Sequence, residues 1–201
     1  MKLQKKQALV SICLAAGIIV VDQAIKVAVK TGMYLHQSIK VTDWFQILFT
    51  ENDGMAFGME IIPKWFLTLF RIGAVALLIW YIRRCIKGGV GWGYLVCLTM
   101  ILAGAAGNIF DCVFYGEIFN NPPAPQTADF VQWGTGYGQF MLGRVVDMFY
   151  FPLVEWDWPG WMPLVGGGHF VFFSPVFNFA DASISCGVMA LLIFFHKKFL
   201  R

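Results

Sequence analysis

Four long apolar stretches constrain this chain more than any other feature of its sequence. They run approximately over Ala8–Val29, Pro63–Ile82, Gly91–Phe114 and Val176–His196. Each approaches or exceeds the roughly 20 residues that a helix needs to cross a bilayer. The composition points the same way: 58% of the 201 residues are hydrophobic and 13% charged, with a mean hydropathy of +0.65. That is too apolar for an ordinary soluble domain and reads as an integral membrane protein.

Orientation follows from the basic residues. Lys2, Lys5 and Lys6 precede the first span, Arg83, Arg84 and Lys87 separate the second from the third, and Lys197, Lys198 and Arg201 follow the fourth. With four spans, all three clusters fall on one side, which the positive-inside rule makes the cytoplasm. The net charge of +3 sits at segment ends rather than on one face, so nucleic acid is not an expected partner. The basic start of the first span resembles a signal peptide, but its apolar run passes through Ala15-Ala16-Gly17 into further apolar residues, so a retained helix is expected. The five cysteines show neither metal-ligand spacing nor a disulfide framework and read as small core hydrophobes. His36, His169 and His196 are too scattered to suggest a metal site.

The expected fold is therefore an all-α membrane protein, one domain over residues 1–201, with four transmembrane helices and both termini cytoplasmic. Two external regions remain, 31–62 and 115–175. In the first, Ile39, Val41, Phe45, Ile47 and Phe49 recur with period two and predict a half-buried strand, a small β-element that ends in the turn-forming Glu51-Asn52-Asp53-Gly54. The second ends in a long aromatic loop bearing Trp156, Trp158, Trp161, Phe170, Phe172 and Phe173, a composition suited to the headgroup zone.

This topology brings polar residues to one depth. Asp22 and Lys26 lie towards the outer end of the first helix, Asn108 and Asp111 at that of the third, and Asn178 and Asp181 at the start of the fourth, while Asn52 and Asp147 lie in external segments. Asp22 with Lys26, four apart, reads most simply as an ion pair on one helix face. Asn108 and Asp111 suit helix cross-linking as well as function, and Asn52 suits turn support. Asp147 and Asp181 stand among apolar neighbours, where a carboxylate is costly and usually functional. Two aspartates facing each other share one proton, an arrangement that hydrolyses peptides without a metal or a covalent intermediate. Ser183 and Ser185 have no nearby base to make a nucleophile.

Five motifs in order carry a family resemblance: Asp22-Gln23 with Lys26; Asn52-Asp53-Gly54-Met55-Ala56-Phe57; Gly107-Asn108-Ile109-Phe110-Asp111; Val145-Val146-Asp147; and Phe177-Asn178-Phe179-Ala180-Asp181. Over nearly its whole length the chain resembles the lipoprotein signal peptidases (signal peptidase II), four-helix aspartyl peptidases of the bacterial inner membrane. The resemblance implies that Asp147 and Asp181 are the catalytic dyad, at the outer face of the membrane. It implies that Asp22, Lys26, Asn52, Gly54, Asn108, Asp111 and Asn178 support the dyad or the substrate, with no cofactor and no metal. The implied partners are a diacylglyceryl-modified prolipoprotein, cut just before its lipidated cysteine, and membrane lipid; the enzyme is expected to act as a monomer.

Two features depart from the family pattern. Cys112 stands where the family usually has arginine after the third-helix aspartate, and Arg144 is the expected substitute cation. Residues 117–142 form a segment longer than the family pattern needs. The rival readings are a small proton- or ion-coupled transporter, for which internal repeats are expected and none is seen, and a membrane scaffold, which leaves Asp147 and Asp181 unexplained.

Overall fold

The computed structural model describes residues 2–53, 63–164 and 166–196. Helix α1 (Lys2–Gly32) leads into the antiparallel strands β1 (Ser38–Thr42) and β2 (Phe45–Asn52). Helices α2 (Lys64–Lys87) and α3 (Trp92–Phe110) follow, and α3 continues through a π-helical turn (Asp111–Tyr115) into the short α4 (Gly116–Ile118). Strands β3 (Val145–Tyr150), β4 (Val154–Asp157) and β5 (His169–Phe172) precede the last helix, α5 (Phe179–Phe195). Strands β1–β2–β3 make one antiparallel sheet and β4–β5 a separate hairpin.

Among the described residues, three helical segments, α1, α2 and Trp92–Ile118, are long and apolar enough to cross a membrane; α5, at 17 residues, is shorter. The fourth apolar stretch, expected from Val176, becomes helical only at Phe179. Phe177 is held in an extended bridge to Phe149 of β3, and Asn178 caps the helix through a reciprocal capping box with Asp181. The first helix is longer than expected at both ends, Lys2–Gly32, and holds Asp22 and Lys26 within it as the sequence indicates. Large apolar side chains such as Val20 (67% exposed), Phe70 (68%) and Phe194 (73%) face outward, as lipid-facing side chains do. Cys85, Cys97 and Cys112 are buried as expected, whereas Cys13 and Cys186 lie on that outer surface.

Helix α3 is the central element and packs on α1, α2 and α5. Its approach to α5 and α1 needs small residues: a Cβ on Gly104 would stand 2.3 Å from the Ala180 carbonyl oxygen of α5, and one on Gly107 would stand 2.7 Å from the Asp22 carboxylate of α1. One apolar core (Ile82, Leu95, Leu98, Leu191 and neighbours) fills the end near the α2–α3 turn. A second (Val29, Met33, Phe49, Tyr115, Phe119, Val146, Met148) joins the other end of α1 to the three-stranded sheet.

The segment 117–142 has a clear structural use. A π-helical turn shifts the regular i→i−4 ladder of the helix, and carbonyls at this end need other donors. The long segment and Gly143 just after it fold back to supply them: Gly143 N–H donates to Cys112 O (2.8 Å), Met141 N–H to Val113 O (3.2 Å) and Gly138 N–H to Gly116 O (2.9 Å). The chain then passes directly into β3. The β-element is thus larger than the sequence pattern suggested, since β3 comes from the distant second external region and pairs with β2, Thr50 opposite Asp147.

Gly104→Ala should lower the stability of the detergent-solubilised protein by about 1–3 kcal/mol, the usual cost of overpacking. Gly17→Ala, where a Cβ meets nothing within 4 Å, should be neutral or slightly stabilising. Thermal melts of the two variants beside the parent check this.

Candidate active site

The polar residues expected at one depth do meet, and they are organised around Lys26. Its side chain is fully buried, and its Nζ donates to Asp22 Oδ2 (3.0 Å), Asp111 Oδ2 (2.8 Å) and Asn108 Oδ1 (2.8 Å). An ammonium has three donors, and here each has an acceptor. Asp22 is therefore more than one half of an intrahelical ion pair.

Each acceptor reaches onward to a different element. Asp22 Oδ1 accepts from the backbone N–H of Ala180 (2.9 Å), so α1 caps the first turn of α5. Asp111 Oδ2 accepts from Val146 N–H (3.3 Å), which ties α3 to the strand residue just before Asp147. Gln23 cross-links the two carboxylates, donating to Asp111 Oδ1 (2.8 Å) and Asp22 Oδ2 (3.1 Å), and its own oxygen accepts from the Tyr115 hydroxyl (3.0 Å). Asn108 Nδ2 donates to Asp181 Oδ1 (2.7 Å).

Asn178 joins the two aspartates. Its Nδ2 donates to Asp147 Oδ1 (2.6 Å) and to Asn108 Oδ1 (3.1 Å), its backbone N–H donates to Asp181 Oδ2 (3.3 Å), and its Oδ1 accepts from Asp181 N–H (2.9 Å). The same residue therefore caps the helix that carries one aspartate and holds the carboxylate of the other. Asn52, at the end of β2, also donates to Asp147. Burial, with the neighbouring Asp181 carboxylate adding to it, pushes the Asp147 carboxyl up to about 7, against the pull of the Asn178 and Asn52 amides.

Asp147 and Asp181 open onto one cleft of about 450 Å³, whose polar lining is completed by Asn52, Asn108 and Arg71 and whose remaining walls are aliphatic. Among the described residues, no three His, Cys, Asp or Glu side chains converge in a way that could hold a metal ion.

Arg144 is placed otherwise than expected. It pairs with Glu51 (3.3 Å) and Asp53 (3.5 Å) at the end of β2, while the guanidinium beside Cys112 is that of Arg71, with Nη1 3.6 Å from Sγ. Partial burial would raise the Asp53 carboxyl, but Lys64 (2.5 Å) and Arg144 outweigh it and hold it below the usual carboxylate range. Glu51 also pairs with buried Lys30, whose ammonium sits among the rings of Phe49, Phe119 and Tyr137 at 5.0–5.9 Å. Gly54 lies outside the described residues. Sequence reasoning passed over Arg71, Lys30 and Glu51. The signals were present: a lone arginine inside an apolar span, and a lysine one turn beyond Lys26 on the same helix face.

Sequence comparisons with known proteins point to one family. Residues 14–197 match the sequence profile of signal peptidase (SPase) II. The chain is 51% identical over 177 residues to a lipoprotein signal peptidase of Porphyromonas gingivalis, covering 88% of this chain and 78% of that one. It is 35% identical over 186 residues to that of Amoebophilus asiaticus, covering 87% and 72%. Among solved structures, a bacterial membrane enzyme determined by the in meso method at 1.9 Å shares the fold with a TM-score of 0.62 at 22% identity, over 92% of this chain and 90% of that one.

Replacing Lys26 by methionine would leave Asp22, Asp111 and Asn108 facing an apolar side chain. Breaking such a buried pair should cost about 3–5 kcal/mol, seen as a lowered midpoint in denaturant unfolding in detergent; Arg144→Ala, at a half-exposed site, should cost far less.

Proposed function

This chain belongs to the signal peptidase II family, and from that premise we propose that it is an aspartyl endopeptidase that removes the signal peptide from diacylglyceryl-modified prolipoproteins, cutting just before the lipidated cysteine. One observation carries the reading: Asn178 binds both Asp147 and Asp181, and the two carboxyls open onto the same apolar cleft. The transporter alternative finds no support in the family match.

The chemistry follows from a dyad that holds one proton. The ionised carboxylate takes a proton from water as the water oxygen attacks the scissile carbonyl carbon. The protonated carboxyl gives its proton to the carbonyl oxygen, yielding a gem-diol. The proton taken from water then passes to the amide nitrogen, a diol hydroxyl returns its proton to the dyad, and the C–N bond breaks. The dyad ends in its starting state, with no metal and no covalent intermediate. Lys26, Asp22, Asp111, Asn108 and Asn178 hold the two carboxyls in place. Asn52 steadies Asp147 from β2, whose end is fastened by Arg144.

The protein is a multi-pass bacterial membrane protein. In our reading α5 is the fourth span: 17 residues rise about 26 Å, near the lower limit for crossing a bilayer. Both termini then face the cytoplasm, the dyad lies at the outer face, and the aromatic β4–β5 hairpin rests in the headgroup zone. The enzyme acts as a monomer, and the lipid chains of its substrate lie in the cleft.

The test is processing of a diacylglyceryl-modified prolipoprotein by the reconstituted protein, followed as a size shift. Asp147→Asn and Asp181→Asn should each lower kcat by at least about 10²–10⁴-fold, while a strong chelator leaves the wild type active; normal cleavage by either variant would overturn the dyad assignment.

The raised Asp147 titration gives a second expectation. The working dyad carries one proton, so kcat/KM should fall as pH rises through about 7, well above the range of an ordinary carboxylate. A pH–rate profile flat across pH 6–8 would contradict it.

A further inference from the structure

Among the described residues, Arg71 is the cation that lines the cleft beside Asp147 and Asp181. It lies seven residues into α2, about 10 Å along the helix from Lys64, at a depth where an ionisable group is expensive and usually functional. The cleft shows a pattern that gives it a task. On α2, Ala74, Val75 and Leu78 follow Arg71 at three, four and seven residues and so share its face. On α3, which runs the opposite way, Ala105 and Ile101 precede Asn108 at three and seven residues; on α5, Ile184 follows Asp181 at three. Each of the three helices thus presents one polar side chain at the level of the dyad and aliphatic side chains deeper. Such a cleft fits an amphiphile whose polar atoms stop at one height while its hydrocarbon continues downward.

The charge at that level selects the polar atoms. A dyad with one proton carries one negative charge, and the Arg71 guanidinium balances it. A further anion would be repelled by the dyad and a cation by Arg71, which leaves a neutral hydrogen-bond acceptor. The guanidinium Nη1 rests 3.6 Å from the thiol of Cys112. A carbonyl oxygen brought into the cleft is a stronger acceptor for a guanidinium N–H than a thiol sulfur is.

Resting on the peptidase reading above, we propose that Arg71 is a substrate-binding residue that donates hydrogen bonds to a carbonyl oxygen of the lipidated segment and so sets the height of the scissile bond against Asp147 and Asp181. The carbonyl is either an ester carbonyl of the diacylglyceryl group or a peptide carbonyl beside the modified cysteine. The geometry also predicts that the cation can be supplied from position 112, whose side chain already touches the guanidinium.

The experiment measures kcat and KM of the full chain, reconstituted in bilayers, on a diacylglyceryl-modified prolipoprotein. Arg71→Gln should lower kcat/KM about 10- to 100-fold, the loss of one hydrogen bond to a charged group, mainly through KM and with an unchanged melting temperature. Arg71→Lys should recover part of the loss, and so should Cys112→Arg placed in the Arg71→Gln background. A dialkyl ether substrate, which lacks ester carbonyls, separates the two sources. If the effect of Arg71→Gln vanishes on it, the ester is the partner; if the effect persists, the peptide is, and either result upholds the proposal. Arg71→Gln within twofold of the wild type would overturn it, as would a loss in kcat alone that tracks a lowered melting temperature and is relieved by neither rescue variant. Failure of the wild type itself to cleave would instead bring down the peptidase reading, and this proposal with it.

Discussion

The ammonium of Lys26 has three donors and finds three acceptors, Asp22, Asp111 and Asn108, in a place fully closed to solvent. A lone charge so buried would be prohibitive, so the acceptors must converge on it, and that requirement sets the geometry of the site. Through Asp22 the cluster fixes the first turn of α5, through Asp111 it fixes β3, and through Asn108 it grips Asp181 directly. The two aspartates that face the cleft are both positioned relative to one nitrogen atom. Buried polar networks of this kind specify a unique arrangement because a half-made version is costly.

A second constraint comes from the backbone. The π-helical turn at the end of α3 aims Asp111 at β3 while leaving carbonyls that need donors. The segment 117–142 provides them and then delivers the chain into β3, while Tyr137 receives the Arg144 N–H (2.7 Å). A stretch that looks like surplus loop is therefore the device that carries Asp147 back to the helices. The rings around Lys30 and its pairing with Glu51 anchor β2 on the same side, so Asn52 approaches Asp147 from a strand fixed to α1.

The helices and the short list of residues that meet were legible in the sequence, because both rest on local rules. Hydropathy over about 20 residues marks a span, and residues three or four apart share a face, so Asp22 with Lys26, Asn108 with Asp111 and Asn178 with Asp181 could be paired by spacing. Arg144 shows where such reasoning stopped. Being three residues from Asp147 suggested a cation for the third-helix motif, but alternation along the chain between Gly143 and β3 sends its side chain to Glu51 and Asp53 instead. The cation that meets Cys112 comes from α2, 41 residues away in sequence, and no spacing rule connects them. The start of α5 was misjudged by three residues for a related reason: Phe177 is claimed by strand pairing with Phe149, a tertiary contact that overrides its apolar helix signal.

Amino-acid order alone marks the chain as a membrane-spanning bundle, shows which faces of its helices are polar, and places its motifs in a family. These are properties of composition, period and order, and they survive without knowing what packs on what. Packing in three dimensions is what shows that three acceptors share one ammonium, that Asn178 binds both aspartates, that β3 pairs with β2, and that Arg71 rather than Arg144 stands beside Cys112. The physical reason is range. Helix formation and membrane insertion depend on residues a turn apart, whereas a hydrogen bond is made or lost within a few tenths of an ångström, between groups that the chain brings together from opposite ends.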